Sequence, residues 1–195
     1  LRKATLDYNI NNHPLNEELE IIQDENRAIQ TQLPKLRGKE KGLAHKDIHR
    51  NQKEIKNIER RITEEILGNA EVICCTNIGA GHHILGERKF PIVLIDEATQ
   101  ASEPSALVPI TRGCRQLFLV GDHKQLPPTV LSKEANGLEV SLFERLIDSN
   151  LEPKLLNTQY RMHPVIREFP SMRFYENKLL DGEGLENRDT PAGFI

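Results

Sequence analysis

No stretch of the 195-residue sequence is apolar over more than a few consecutive positions, far short of the roughly 20 needed to cross a bilayer. A membrane span is not expected. Neither is a secretory leader, because no charged start precedes an apolar run, and a chain that opens on Leu1 reads as a fragment. Cysteine is scarce as well. Cys74, Cys75 and Cys114 form an odd set whose two adjacent members cannot easily pair, and they read as buried thiols of a reducing compartment, cytoplasmic or nuclear. No Cys-x-x-Cys or Cys…His spacing suits zinc, and His82-His83 stands alone, so no zinc site is expected in this segment. With 12 glycines and 11 prolines there is no low-complexity or collagenous tract. What is present, 37% hydrophobic and 28% charged residues, suits a globular domain, alone or with an appendage.

The net charge of −3 conceals an asymmetry. Residues 1–70 carry 13 Lys/Arg against 12 Asp/Glu, and residues 71–195 carry 13 against 17. Between Lys35 and Arg61 ten basic side chains meet only Glu40, Asp47, Glu54 and Glu59. Such an excess fits phosphates. It equally fits a solvated helix face, since no aromatic residue is interleaved for base stacking. Leu15, Leu19, Ile22, Ile29 and Leu33 form one apolar stripe at helical spacing, ended by Pro34. After a loop through Gly38 and Gly42, Ile48, Ile55, Ile58, Ile62 and Ile66 form a second, stopped at Gly68-Asn69. The spacing predicts a long αα-hairpin over residues 1–70.

From Glu71 the texture changes to short runs rich in β-branched residues: Val72–Cys75, Pro91–Ile95, Gln116–Val120 and Leu155-Leu156. These read as buried parallel strands. Helices over Pro104–Ile110 and Ser141–Ser149 alternate with them, which predicts an α/β fold with helices on both faces of a parallel sheet.

Val93-Leu94-Ile95 delivers Asp96-Glu97 where a strand leaves the sheet, the edge at which open α/β sheets bind ligands. An aspartate there can hold Mg²⁺ beside nucleotide phosphates, and a neighbouring carboxylate can polarise water. A helix N-cap followed by a first-turn acid has the same spelling. The next strand ends in Gly121-Asp122-His123-Lys124-Gln125-Leu126-Pro127-Pro128. Gly121 allows close backbone approach, Asp122 and Gln125 can bond a phosphate or its attacking water, and the prolines stiffen the exit. A third segment, Asn157 to Pro164, sets Tyr160 and Arg161 after a strand-like start. Arginine suits multidentate phosphate recognition, and Tyr160 suits either an adenine ring or a packed core.

Together these residues resemble the Upf-like and Sen-like branch of superfamily 1 helicases. Asp96-Glu97-Ala98-Thr99-Gln100 is similar to motif II of that family, Gly121 to Pro128 to motif III, and Gln159 to Pro164 to motif IV. Ile73 to Gly81, with Thr76, Gly79 and Gly81, resembles the family's loop along the nucleic-acid track. The match is specific from about Ile66 to Asp181, and the hairpin before it resembles the family's stalk in architecture only.

The resemblance implies a RecA-like fold of the P-loop NTPase type, with ATP and Mg²⁺ as cofactors and single-stranded RNA or DNA as partner. Protein regulators stand as further partners. It implies that Asp96 coordinates Mg²⁺, Glu97 is the general base, Gln125 senses the γ-phosphate, Arg161 is an arginine finger and Tyr160 lies near adenine. It also implies a division into a stalk (1–70), the later part of a first RecA-like domain (71–152) and the start of a second (153–195). One element is missing from the 195 residues. No G-x-x-x-x-G-K-[ST] occurs, since Gly38-Lys39 is followed by Glu40. The chain thus reads as the middle of a helicase, inactive by itself. A truncated, non-catalytic module that binds nucleic acid or protein is the alternative.

Overall fold

The computed structural model describes residues 2–187. The chain divides into two compact units, residues 1–88 and residues 89–195.

The first unit is helical. Helix α1 (Leu6–Asn11) is capped by the Thr5 hydroxyl, which accepts the Tyr8 amide at 3.3 Å. Helix α2 (Asn16–Gln32) opens with Glu17 and Glu18, whose charges suit a helix N-terminus, and Pro34 sits in a 3₁₀ turn just after it. Helix α3 (Gly38–Asn69) then runs back along α2. The apolar stripes meet as the periodicity predicts: Leu19, Ile58 and Ile62 are buried, with Leu15, Ile22, Ile55 and Ile66 packed around them. Two details differ. Gly42 lies inside α3 rather than in a loop, a cost of only about 1 kcal/mol for one helical glycine, and Gly38, at φ 55°, is the helix's first residue. Val72–Cys75 forms no strand among the described residues, and Val72 is 78% exposed. A strand needs a neighbour to take its backbone hydrogen bonds, and none pairs with this segment. Cys74 and Cys75 are accordingly exposed, not buried as expected, although burial and the neighbouring Cys74 thiol still push the Cys75 thiol above its usual range.

The second unit holds the parallel strands. Strand β1 (Ile92–Ile95) pairs in parallel with β2 (Gln116–Leu119), Ile92 opposite Gln116 and Ile95 opposite Leu119. Helix α4 (Glu103–Ile110) connects them, and α5 (Leu142–Asp148) follows, its first turn capped by Ser141 Oγ on the Glu144 amide at 3.1 Å. The Arg145 guanidinium clamps the Glu103 carboxylate at 2.5 and 2.8 Å, joining α5 to α4. Val93, Ile95, Ala98, Ala106 and Leu142 form the core. They cover one face of the sheet only. Ile92 and Leu94 are each 63% exposed and Phe118 45%, so helices on both faces are not seen among the described residues. A second pair of parallel strands, β3 (Thr158–Gln159) and β4 (Leu180–Asp181), brackets helix α6 (Pro164–Phe174). The strand expected at Leu155-Leu156 thus begins three residues later, where Leu180 and Asp181 supply partners.

Candidate functional site

Two strand exits are spliced together by backbone. The Ala98 amide donates to the Val120 carbonyl at 2.8 Å, and the Val120 amide to the Ile95 carbonyl at 2.9 Å. This holds the Asp96-Glu97 turn against the loop that opens at Gly121. A Cβ on Gly121 would meet the Thr99 amide nitrogen at 3.0 Å, Thr99 Cγ2 at 3.1 Å and the Ala98 nitrogen at 3.2 Å. The close approach anticipated at Gly121 is therefore made by the other loop of the chain. Both carboxylates are exposed at the sheet edge. Asp96 Oδ1 accepts the Glu97 amide at 3.1 Å, and Gln100 Nε2 donates to Glu97 Oε2 at 3.3 Å. Glu97 itself sits at φ 51° and ψ 39°, a left-handed conformation that costs a non-glycine residue about 1 kcal/mol or more.

Asp122 is committed to protein partners. Its carboxylate accepts Gln125 Nε2 at 2.7 Å, the Lys124 amide at 3.0 Å and the Tyr175 hydroxyl. Burial alone would raise this carboxyl, but the hydrogen bonds from Tyr175, Gln125 and Lys124 outweigh it and hold the group below its usual range. Burial, together with the same contact, pushes the Tyr175 phenol up to about 12. Asp122 thus fixes the Gln125 amide, and direct bonding of Asp122 to phosphate, which the sequence suggested, competes with three existing donors.

Gln159 organises the third segment. Its Oε1 accepts the Arg161 and Met162 amides at 2.9 and 2.7 Å, and its Nε2 donates to the Met162 carbonyl at 2.8 Å and to Asp181 at 2.7 Å. Asp181 also receives Arg167 through Nε and Nη2, at 2.8 to 3.2 Å. The Arg167 and Gln159 donors hold the Asp181 carboxyl below its ordinary value. Arg161 is exposed at the head of this loop, and Tyr160, 69% exposed, lays its ring over Gly182, where a Cβ would fall 2.2 Å from the ring. Helix α6 starts one turn away, capped by His163 Nδ1 on the Val165 amide at 3.2 Å. Tyr175, at its far end, reaches Asp122. The loops carrying Asp96, Glu97 and Gln125 therefore share one strand edge, and α6 links the Arg161 loop to them.

Thr76, Gly79 and Gly81 lie in the first unit. Thr76 Oγ1 accepts the Gly79 amide at 3.1 Å, and Gly79–Gly81 is a 3₁₀ turn. Tyr175, Asp181, Arg167 and Gly182 escaped the sequence reading: Tyr175 is 53 residues from Asp122, and no local spacing announces such a pair. Among the described residues there is no cluster of three His, Cys, Asp or Glu side chains that would hold a metal, and no helix is long and apolar enough to cross a membrane.

A family model described as an AAA domain matches residues 2–133, and a second with the same description matches residues 138–193. The chain is 50% identical over 134 residues to a regulator of nonsense transcripts 1 homolog of Neurospora crassa, and 52% identical over 134 residues to the ATP-dependent helicase NAM7 of Saccharomyces cerevisiae. It is 47% identical over 146 residues to an ATP-dependent helicase of Methanocaldococcus jannaschii. These alignments cover 68%, 68% and 74% of the chain but only 12%, 14% and 22% of the relatives. The chain belongs to the AAA-domain family, in the Upf-like branch of superfamily 1 helicases. The Saccharomyces cerevisiae and Methanocaldococcus jannaschii relatives carry helicase names, and an α/β fold of RecA-like type goes with the family.

Proposed function

We propose that the chain is the part of an ATP-dependent helicase that runs from a helical stalk (1–70) through the later part of one RecA-like domain (71–152) into the start of a second (153–195). The partner is single-stranded RNA or DNA. In the whole protein the sheet carries helices on both faces. The observation that carries this reading is the backbone splice between the two strand exits, which gathers an acidic pair and a glutamine on one edge.

The exposed Asp96 and Glu97 carboxylates are hard oxygen donors of the kind Mg²⁺ takes. Asp96 would hold that ion, which would supply neutralisation of phosphate charge. Glu97, held by Gln100, takes the proton of the attacking water. Gln125, oriented by Asp122, senses the γ-phosphate. Arg161 approaches from the second lobe as the arginine finger, and Tyr160 lies by the adenine. Thr76, Gly79 and Gly81 line the nucleic-acid track.

By this reading the 195 residues alone hydrolyse no ATP, because they contain no G-x-x-x-x-G-K-[ST] to cradle the phosphates. The test is Glu97→Gln in a full-length protein carrying this segment. ATP binding is retained and nucleic-acid-stimulated turnover falls by about 10²- to 10⁴-fold. Unchanged turnover removes Glu97 from the role.

A further inference from the structure

The far end of α6 is held more tightly than a helix end needs. Tyr175, its C-terminal cap, is followed by Glu176 and Asn177, both in the left-handed region at φ 54° and 60°, a conformation that costs free energy in any residue but glycine. Ser171, fully buried, gathers this turn: its carbonyl accepts the Tyr175 and Asn177 amides at 3.1 and 2.9 Å, and its Oγ accepts the Leu179 amide at 3.2 Å. The Lys178 amide closes back on the Tyr175 carbonyl at 2.8 Å. The turn thereby fixes the position of one phenol, and that phenol donates to Asp122 Oδ2. The same Oδ2 accepts Gln125 Nε2 at 2.7 Å, while Oδ1 accepts the Lys124 amide at 3.0 Å. An ionised carboxylate offers only acceptors, so the Gln125 amide turns Nε2 toward it and leaves Oε1 facing away. That end suits a proton of the water that attacks a phosphate. Gln125 and Lys124 belong to the same loop as Asp122. Tyr175 is the one donor to this carboxylate from a distant segment, 53 residues away. The last torsion of an aspartate is broad, and the Tyr175 hydroxyl stops Asp122 from turning and carrying Gln125 with it.

We infer that Tyr175 is a positioning residue for ATP hydrolysis: it clamps Asp122, and so aligns the Gln125 amide only while the end of α6 lies against the loop that opens at Gly121. This deepens the ATP-site reading and rests on it. Helix α6 spans about 15 Å, with the Arg161 loop at its start and Tyr175 at its end. One helix therefore sets both the guanidinium and the amide. When the 153–195 segment moves away from the Gly121 loop, both groups leave their aligned positions together, and water attack waits until that segment returns.

The test is a double-mutant cycle in a full-length protein carrying this segment, with Tyr175→Phe, Gln125→Ala and the two combined. Phenylalanine keeps the ring and removes only the hydroxyl. Nucleic-acid-stimulated turnover is read as kcat and KM separately. Binding of a fluorescent ATP analogue, with circular dichroism at the assay temperature, checks that each variant is folded. Tyr175→Phe is expected to lower kcat about tenfold, with KM and analogue binding within about twofold of the parent. Gln125→Ala is expected to lower kcat by about 10²-fold. Adding Tyr175→Phe to Gln125→Ala is expected to lower kcat by less than about twofold more, because the hydroxyl then has no amide to hold. A tyrosine with a merely structural role lowers kcat by the same factor in both backgrounds, and that result would overturn the inference. So would an unchanged kcat for Tyr175→Phe, or a loss confined to KM. An unchanged kcat for Gln125→Ala would instead overturn the ATP-site reading, and the inference with it.

Discussion

Replacing Gly121 with alanine tests whether the splice between the two strand exits is as tight as it looks. Two effects oppose each other. Alanine restricts the unfolded chain and by that route stabilises by about 0.4–1 kcal/mol. Its Cβ, however, would sit 3.0 Å from the Thr99 amide nitrogen, 3.1 Å from Thr99 Cγ2 and 3.2 Å from the Ala98 nitrogen. Two of those three atoms are backbone, fixed by the Ala98 bond to Val120, so no side chain can swing aside to relieve the contact. Overpacking of this kind costs about 1–3 kcal/mol, and the steric effect wins, leaving a net loss of up to about 2.6 kcal/mol. Gly42→Ala is the matched control: it lies inside α3 with nothing within 4 Å of the new methyl and should gain about 0.5–1 kcal/mol. Urea unfolding followed by circular dichroism reads both. Opposite signs are required. A Gly121→Ala chain as stable as the parent would mean that the loops are not in backbone contact, and the packing argument for the site would fall.

Two further outcomes follow from the hydrogen-bonded carboxylates. Tyr175→Phe removes one donor from Asp122 while leaving Gln125 and the Lys124 amide; we expect a loss of about 1–2 kcal/mol and disappearance of the 295 nm absorbance step near pH 12 that the raised phenol gives the parent. Asp181 and Asp122 are both held below their ordinary range, so the stability they lend is full above the unfolded value of about 4 and is lost as pH falls through their folded values; Asp181→Asn should flatten the acid limb of a stability-against-pH curve, and an unchanged limb would show that the Arg167 and Gln159 contacts do not hold in solution.

The parts of the fold that depend on local pattern were legible in the sequence. The α2 and α3 stripes needed only a period near 3.6, and Pro91–Ile95 and Gln116–Val120 announced β1 and β2 by being short, branched and bounded by loops. Where a residue's state depends on a distant partner, the reading failed. Val72–Cys75 has the composition of a strand but no neighbour to pair with, and Leu155-Leu156 yields to Thr158–Gln159 because β4 lies opposite the latter. At the site the sequence pointed to Asp96, Glu97, Gln125 and Arg161, since strand ends and loop glycines mark such positions. It was silent on what orients them. The Asp122–Tyr175 and Gln159–Asp181 bonds span 53 and 22 residues, and such separations leave no periodic trace.

The splice at Val120 is made of main-chain amides and carbonyls, and this sets which changes the two loops can absorb. A network of side chains can be dismantled one substitution at a time. Here any residue other than proline at position 98 or 120 still carries the N–H that the bond needs, so side chains on either loop can be exchanged, Gly121 excepted, while the spacing of their backbones stays put. The arrangement behaves as a jig that separates two design problems: chemistry is varied at the loop tips and alignment is kept by the strand ends. What it does not tolerate is a change of length, because one residue inserted between Ile95 and Ala98 would slide the acidic turn out of register with the glutamine loop while leaving every functional side chain in the sequence.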